Sequence, residues 1–108
     1  MITDSVLDTV KTHCNVSVED DSFDTELIAK TNIILSVLPQ LGIGPDEGFA
    51  IENQTDAWSD FLPVNPKIGL IKGYVGHRVR LLFDPPANGQ HLAALKETIS
   101  ELESRITY

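Results

Sequence analysis

Three histidines, one cysteine and a run of carboxylates are the side chains of this 108-residue chain best able to carry chemistry. His13 and Cys14 are adjacent, so on a helix they point roughly 100° apart and do not face one site. No second ligand pair follows at metal-binding spacing. His77 sits between Gly76 and Arg78. Acid–base or nucleophilic work there needs a paired carboxylate or an activated nucleophile, and neither is close in sequence. His77 therefore reads as a packing or interface histidine. His91 falls in the first turn of the last predicted helix, where it is expected to be exposed. Asp20, Asp21 and Asp24 suggest calcium, but an EF-hand loop needs glycine at position six and glutamate at position twelve. Counted from Asp20, those positions hold Thr25 and Thr31. The expectation is a chain that is not an enzyme, with no metal and no cofactor.

The sharper signal is the stretch Ile68 to Pro86, IGLIKGYVGHRVRLLFDPP, an apolar helical stripe that carries Gly69, Gly73 and Gly76 and ends in a double proline. Each glycine in a helix gives up about 1 kcal/mol of propensity relative to alanine, so another backbone is expected to approach closely. A phosphate loop is excluded, because it needs glycines after a strand followed by Lys-Ser or Lys-Thr, and Lys72 precedes Gly73. Gly69 and Gly73 form a GxxxG pair of the kind used for close helix contact. Lys72 and Arg78 exclude a membrane helix. Arg78 and Arg80 lie about 200° apart at roughly 100° per residue, so one can pair within the subunit while the other reaches a neighbour. Lys72, Arg78 and Arg80, with Trp58 in the preceding loop, are the candidate subunit or partner interface.

The elements that position these residues are helical. Thr3 or Asp4 can cap a first helix running to about His13, with Val6, Leu7, Val10 and Cys14 on its apolar face. Asp24 suits the N-cap of a second helix, and Phe23 and Ile28 have the spacing of a hydrophobic staple. The core stripe there is Leu27, Thr31, Ile34, Leu35 and Leu38, ended by Pro39. Gly42, Gly44, Pro45 and Gly48 mark a long loop over residues 42–66. Within it Phe49 and Ile51 allow at most one very short strand, and Asp56 to Leu62 allow one helical turn. Pro66 suits the first turn of a third helix, with Ile68, Ile71, Val75, Val79 and Leu82 as its stripe. Leu70, Tyr74, Leu81 and Phe83 widen that stripe, which implies burial on more than one side. Asn88 can cap a fourth helix with Leu92, Leu95, Ile99, Leu102 and Ile106 inside, and Glu97, Glu101, Glu103, Lys96 and Arg105 on a solvated face. The predicted fold is all-α: one domain, a small bundle of about four helices with a longer central loop.

Net charge is −8. Residues 1–62 hold twelve acids and two bases, a net of −10, and residues 63–108 hold four acids and six bases, a net of +2. The acidic half argues against nucleic-acid binding, which needs a basic footprint. The asymmetry suits head-to-tail association. One cysteine excludes an internal disulfide and fits a reducing compartment. No apolar run is long enough to span a bilayer and no signal-peptide pattern opens the chain, so a soluble, cytoplasmic protein without membrane contact is expected.

The order of these motifs resembles a known family. Phe23-Asp24-Thr25-Glu26-Leu27-Ile28 is followed by Gln40-Leu41-Gly42-Ile43-Gly44, Phe49-Ala50-Ile51 and Trp58-Ser59-Asp60-Phe61. Then come Ile71-Lys72-Gly73-Tyr74-Val75, Arg80-Leu81-Leu82-Phe83-Asp84-Pro85-Pro86 and Ile99-Ser100-Glu101-Leu102-Glu103-Ser104-Arg105. Together they resemble the head–tail connector (adaptor, or head-completion) proteins of long-tailed bacteriophages. The resemblance implies a structural virion protein of the neck, made in the host cytoplasm. It implies a ring homo-oligomer beneath the portal protein that receives a stopper or tail-completion protein and leaves a channel for DNA. The alternative reading of the residues is a small monomeric protein-binding or regulatory module.

Overall fold

The protein was analysed as a computed structural model, which describes residues 4–44, 48–62 and 66–107. The alternative cap Thr3 and the loop marker Pro45 lie outside the described residues. Helix α1 spans Val6–His13. Its cap is Ser5 rather than Asp4: the Ser5 hydroxyl oxygen accepts from the Asp8 amide at 3.2 Å while its proton goes to the Gln54 carbonyl at 2.8 Å. Val6, Leu7, Val10 and Cys14 are buried, as their spacing predicts.

Helix α2 spans Asp24–Leu35. It starts at Asp24, so Phe23 and not Asp24 occupies the cap position, and no side chain caps it. The Asp24 carboxylate is taken by Lys11 of α1, whose ammonium lies 2.8 Å from Oδ1. Lys11 is only 1% exposed, and a buried ammonium needs a counter-charge. That demand outweighs a cap bond worth about 1 kcal/mol. The one-residue shift also removes the staple register, and the Phe23 ring instead meets Phe83 edge-on at 5.4 Å. Leu27, Thr31, Ile34, Leu35 and Leu38 are all buried. Pro39 sits in a 3-10 turn, Leu38–Leu41, closed by Gly42 at φ +79°.

The central segment contributes one short helix, α3 (Trp58–Phe61). The very short strand allowed near Phe49 and Ile51 does not form among the described residues. Its backbone pairing is supplied by a side chain: the Ile51 amide donates to Asn32 Oδ1 at 2.8 Å, and Asn32 Nδ2 donates to the Ile51 carbonyl at 3.1 Å. The one isolated bridge among the described residues joins Ser5 to Ala57, carried by Val6 N–H to the Asp56 carbonyl and Trp58 N–H to the Asp4 carbonyl.

Helix α4 (Ile68–Phe83) packs against α1, α2 and α5. That three-sided setting explains its broad stripe. Ile71, Tyr74, Val75, Gly76 and Val79 are buried. Leu82 departs from the expected stripe and is 46% exposed. It shares a face with Ile71 and Val75, but that face is uncovered at the last turn. Helix α5 (Gly89–Thr107) begins as expected, with Asn88 Oδ1 accepting from the Gln90 and His91 amides. Leu95, Ile99 and Ile106 face inward.

The glycines of α4 are not equivalent. A Cβ at Gly76 would overlap the His13 ring. At Gly73 it would sit 3.6 Å from Leu102 Cδ1, an ordinary contact, and at Gly69 it would meet open space. The close backbone approach expected at these glycines is not made: the tight neighbour lies at Gly76, and it is the His13 ring, a side chain. Replacing Gly76 by alanine is expected to cost about 1–3 kcal/mol through overpacking. Gly69→Ala is expected to stabilise by roughly 0.5–1 kcal/mol, since only the propensity term acts there. Urea unfolding of the two variants checks the opposite signs.

Candidate functional site

The basic residues of α4 have different fates. Lys72 Nζ lies 3.7 Å from Asp4 Oδ1 at the start of α1. Hydrogen bonding from Ser59, with a smaller pull from the Lys72 charge, holds the Asp4 carboxyl below its ordinary value. Arg78 Nη1 donates to the Tyr74 hydroxyl at 2.8 Å, and that hydroxyl donates to Glu103 Oε2 on α5 at 3.0 Å. The Arg78 guanidinium carbon also stands 5.6 Å from the Tyr74 ring centroid. Glu103 thus leaves the solvated face predicted for it. The signal was Tyr74 itself: a buried tyrosine hydroxyl usually finds a partner, although its identity depends on the α4–α5 register.

Arg80 is the exception. It is half-buried, its Nε is buried without a hydrogen-bond partner, and among the described residues no carboxylate lies within ion-pair distance. Its charge acts on Cys14 and His77. Among the described residues Lys72 has a carboxylate within ion-pair distance, Arg78 bonds a tyrosine hydroxyl, and Arg80 Nε has neither.

Trp58 is fully buried inside the subunit, and its indole N–H donates to Thr9 Oγ1 at 3.1 Å. Its side chain offers no surface to a partner. It fixes the central segment to α1, helped by Gln54 Nε2 donating to Asp8 Oδ1 at 2.6 Å. Further along the same segment, Phe49 stacks on Phe61 with ring centroids 4.3 Å apart. Phe49 forms part of an open groove of about 450 Å³ between this segment and α2, shared with Asn32, Ser36, Pro39 and Gln40.

His13 and His77 meet edge-on with ring centroids 4.9 Å apart. The Thr9 carbonyl can only accept, so the 2.9 Å bond to His13 places a proton on His13 Nδ1. His77 Nδ1 is buried with no partner. Burial first, then the His13 and Arg80 charges, push the His77 pKa below its ordinary 6.5. Burial likewise pushes the Cys14 thiol up to about 11, which keeps it protonated. Among the described residues no three His, Cys, Asp or Glu side chains are placed to hold a metal, and no helix is long and apolar enough to cross a membrane.

A family model described as phage connector protein matches residues 6–108. No curated protein and no solved structure matches the chain.

The histidine pair generates a pH prediction. The folded state disfavours protonated His77, so its penalty is absent above the ordinary value of 6.5 and grows as pH falls below it. The melting temperature of the native chain is expected to fall more steeply between about pH 7.5 and about pH 5 than that of His77→Gln. Parallel slopes in the two melting series would remove His77 as the cause.

Proposed function

The chain belongs to the phage connector family, and from that premise we propose that it is a non-enzymatic structural subunit of the virion neck. In this reading copies close into a ring beneath the portal protein, receive a stopper or tail-completion protein below, and leave a channel for DNA. The observation that carries the reading is the family match over nearly the whole chain. The all-α fold with one central helix agrees with the expectation drawn from the motifs.

Charge supports the channel. A net of −8 lowers affinity for a passing polyanion, which suits a wall that must not hold DNA. Head-to-tail ring contacts need two different complementary faces on each subunit. Arg80 is the α4 cation proposed to reach a neighbour or the portal. Lys72 and Arg78 act through their internal partners, Asp4 and the Tyr74–Glu103 pair, by keeping α4 in register with α1 and α5. Trp58 acts by holding the central segment in place.

Electron microscopy of the purified protein with and without its portal tests the reading. Rings on the portal are the expected result, and no binding under any condition would sink it. Arg80→Glu is expected to weaken portal-dependent assembly roughly tenfold, about 1.4 kcal/mol, while its circular-dichroism spectrum stays that of the folded native chain. Arg78→Glu is expected to lower the melting temperature as well, because it strands Tyr74 and Glu103. Equal assembly by native and Arg80→Glu protein would refute the role of Arg80.

A further inference from the structure

The two ends of α1 are held by different kinds of contact. Its start is bolted to the central segment. Ser5 Oγ donates to the Gln54 carbonyl, Val6 N–H to the Asp56 carbonyl, Gln54 Nε2 to Asp8 Oδ1 and the Trp58 indole to Thr9 Oγ1. Past the buried Lys11–Asp24 pair, the last turn rests on α4 through the His13 ring, which fills the space a Cβ at Gly76 would take. The chain then turns away at Asn15, whose φ of +59° is left-handed. Within that turn Cys14 is only 3% exposed.

The contact that seats this turn is poorly made for positive charge. The His13 ring meets His77 edge-on, with centroids 4.9 Å apart. His77 Nδ1 is buried and has no hydrogen-bond partner among the described residues. A charged imidazole carries a proton on both nitrogens. Charging His77 therefore makes Nδ1 a buried donor that faces no acceptor, which is costly. Two charges on the packed elements act on His77 in the same sense, His13 of α1 across the contact and Arg80 of its own helix. Asp24 of α2 is taken by Lys11, and Glu103 of α5 by the Tyr74 hydroxyl. Among the described residues no carboxylate lies within ion-pair distance of either ring. Asp84, just past the end of α4, acts on Cys14.

Relief lies outward, because helix ends open at lower free energy than helix centres. We infer that the His13–His77 contact is an acid-sensitive latch: when His77 takes a proton, the His13 ring leaves the Gly76 notch, the last turn of α1 lifts from α4, and Cys14 is uncovered. The start of α1 stays seated, since neither its bonds to the central segment nor the Lys11–Asp24 pair involves a histidine. Above the ordinary histidine value of 6.5 the latch is closed without penalty, and the drive to open grows as pH falls below it. The device belongs to the subunit's own fold and does not depend on the connector reading.

Cys14 is the single cysteine of the chain, so its labelling reports the opening directly. Dithiodipyridine, a thiol reagent active in mild acid, is reacted with the folded native chain. The rate is divided by that of the urea-unfolded chain at the same pH, which cancels the intrinsic chemistry of the thiol. This normalised rate is expected to rise roughly tenfold from about pH 7.5 to about pH 5. In His77→Gln it is expected to stay flat over the same range. A lifted turn exposes little surface, so small additions of urea should hardly change the rate in acid. Hydrogen exchange gives a reading without substitution: the Cys14 amide, bonded to the Val10 and Lys11 carbonyls, should lose protection in acid relative to the amides of α5. A flat native rate, an equal rise in His77→Gln, or a rise with the full urea dependence of global unfolding would overturn the latch. So would loss of amide protection in α4 and α5 together with that of Cys14.

Discussion

The crossing of α1 against α4 at Gly76 is the constraint on which the rest of the subunit depends. Only a residue without Cβ leaves room for the His13 ring there. With α1 seated that closely, Lys11 is carried into the interior and must find Asp24 on α2. Cys14 and Arg80 become neighbours. The start of α1 is brought alongside residues 54–59, where backbone and side-chain bonds hold the central segment down. One missing methyl group therefore influences the placement of two helices and a loop. It also creates the His13–His77 contact, where burial is the first cause of the lowered His77 pKa.

The central segment illustrates how an irregular stretch becomes an ordered part of a small domain. Its backbone polar groups cannot be left buried and unpaired, and side chains from elsewhere meet part of that need. Asn32 gives Ile51 both bonds that a neighbouring strand would supply. Asp56 Oδ2 accepts from the Glu52 and Asn53 amides, and Asp60 Oδ2 from the Ala57 amide. Many of the acids that make the first half of the chain strongly negative are thus engaged in local capping and pairing. The charge that remains for other molecules is sparser and better localised than the net of −8 suggests.

The all-α fold, the inner faces of the four long helices and the Asn88 cap were legible in the sequence by periodicity and capping chemistry, which act over a few residues. Trp58, a candidate interface residue from sequence, is buried against Thr9 inside the subunit. The family, too, was legible from ordered motifs, and the match over residues 6–108 establishes it. What sequence alone misassigned depended on partners distant along the chain. Asp24 has the chemistry of an N-cap, yet Lys11 claims it. Gly69 and Gly73 have the spacing of a close contact, yet the neighbour arrives at Gly76. Leu82 has the spacing of a core residue, yet its side of the last turn of α4 stays exposed. Glu103 looks solvated until Tyr74 faces it from another helix. Local spacing determined which residues form helices and which side of each turns inward. Only the tertiary structure decided which charge meets which, and which glycine is indispensable, because those depend on the distances at which separate helices come together.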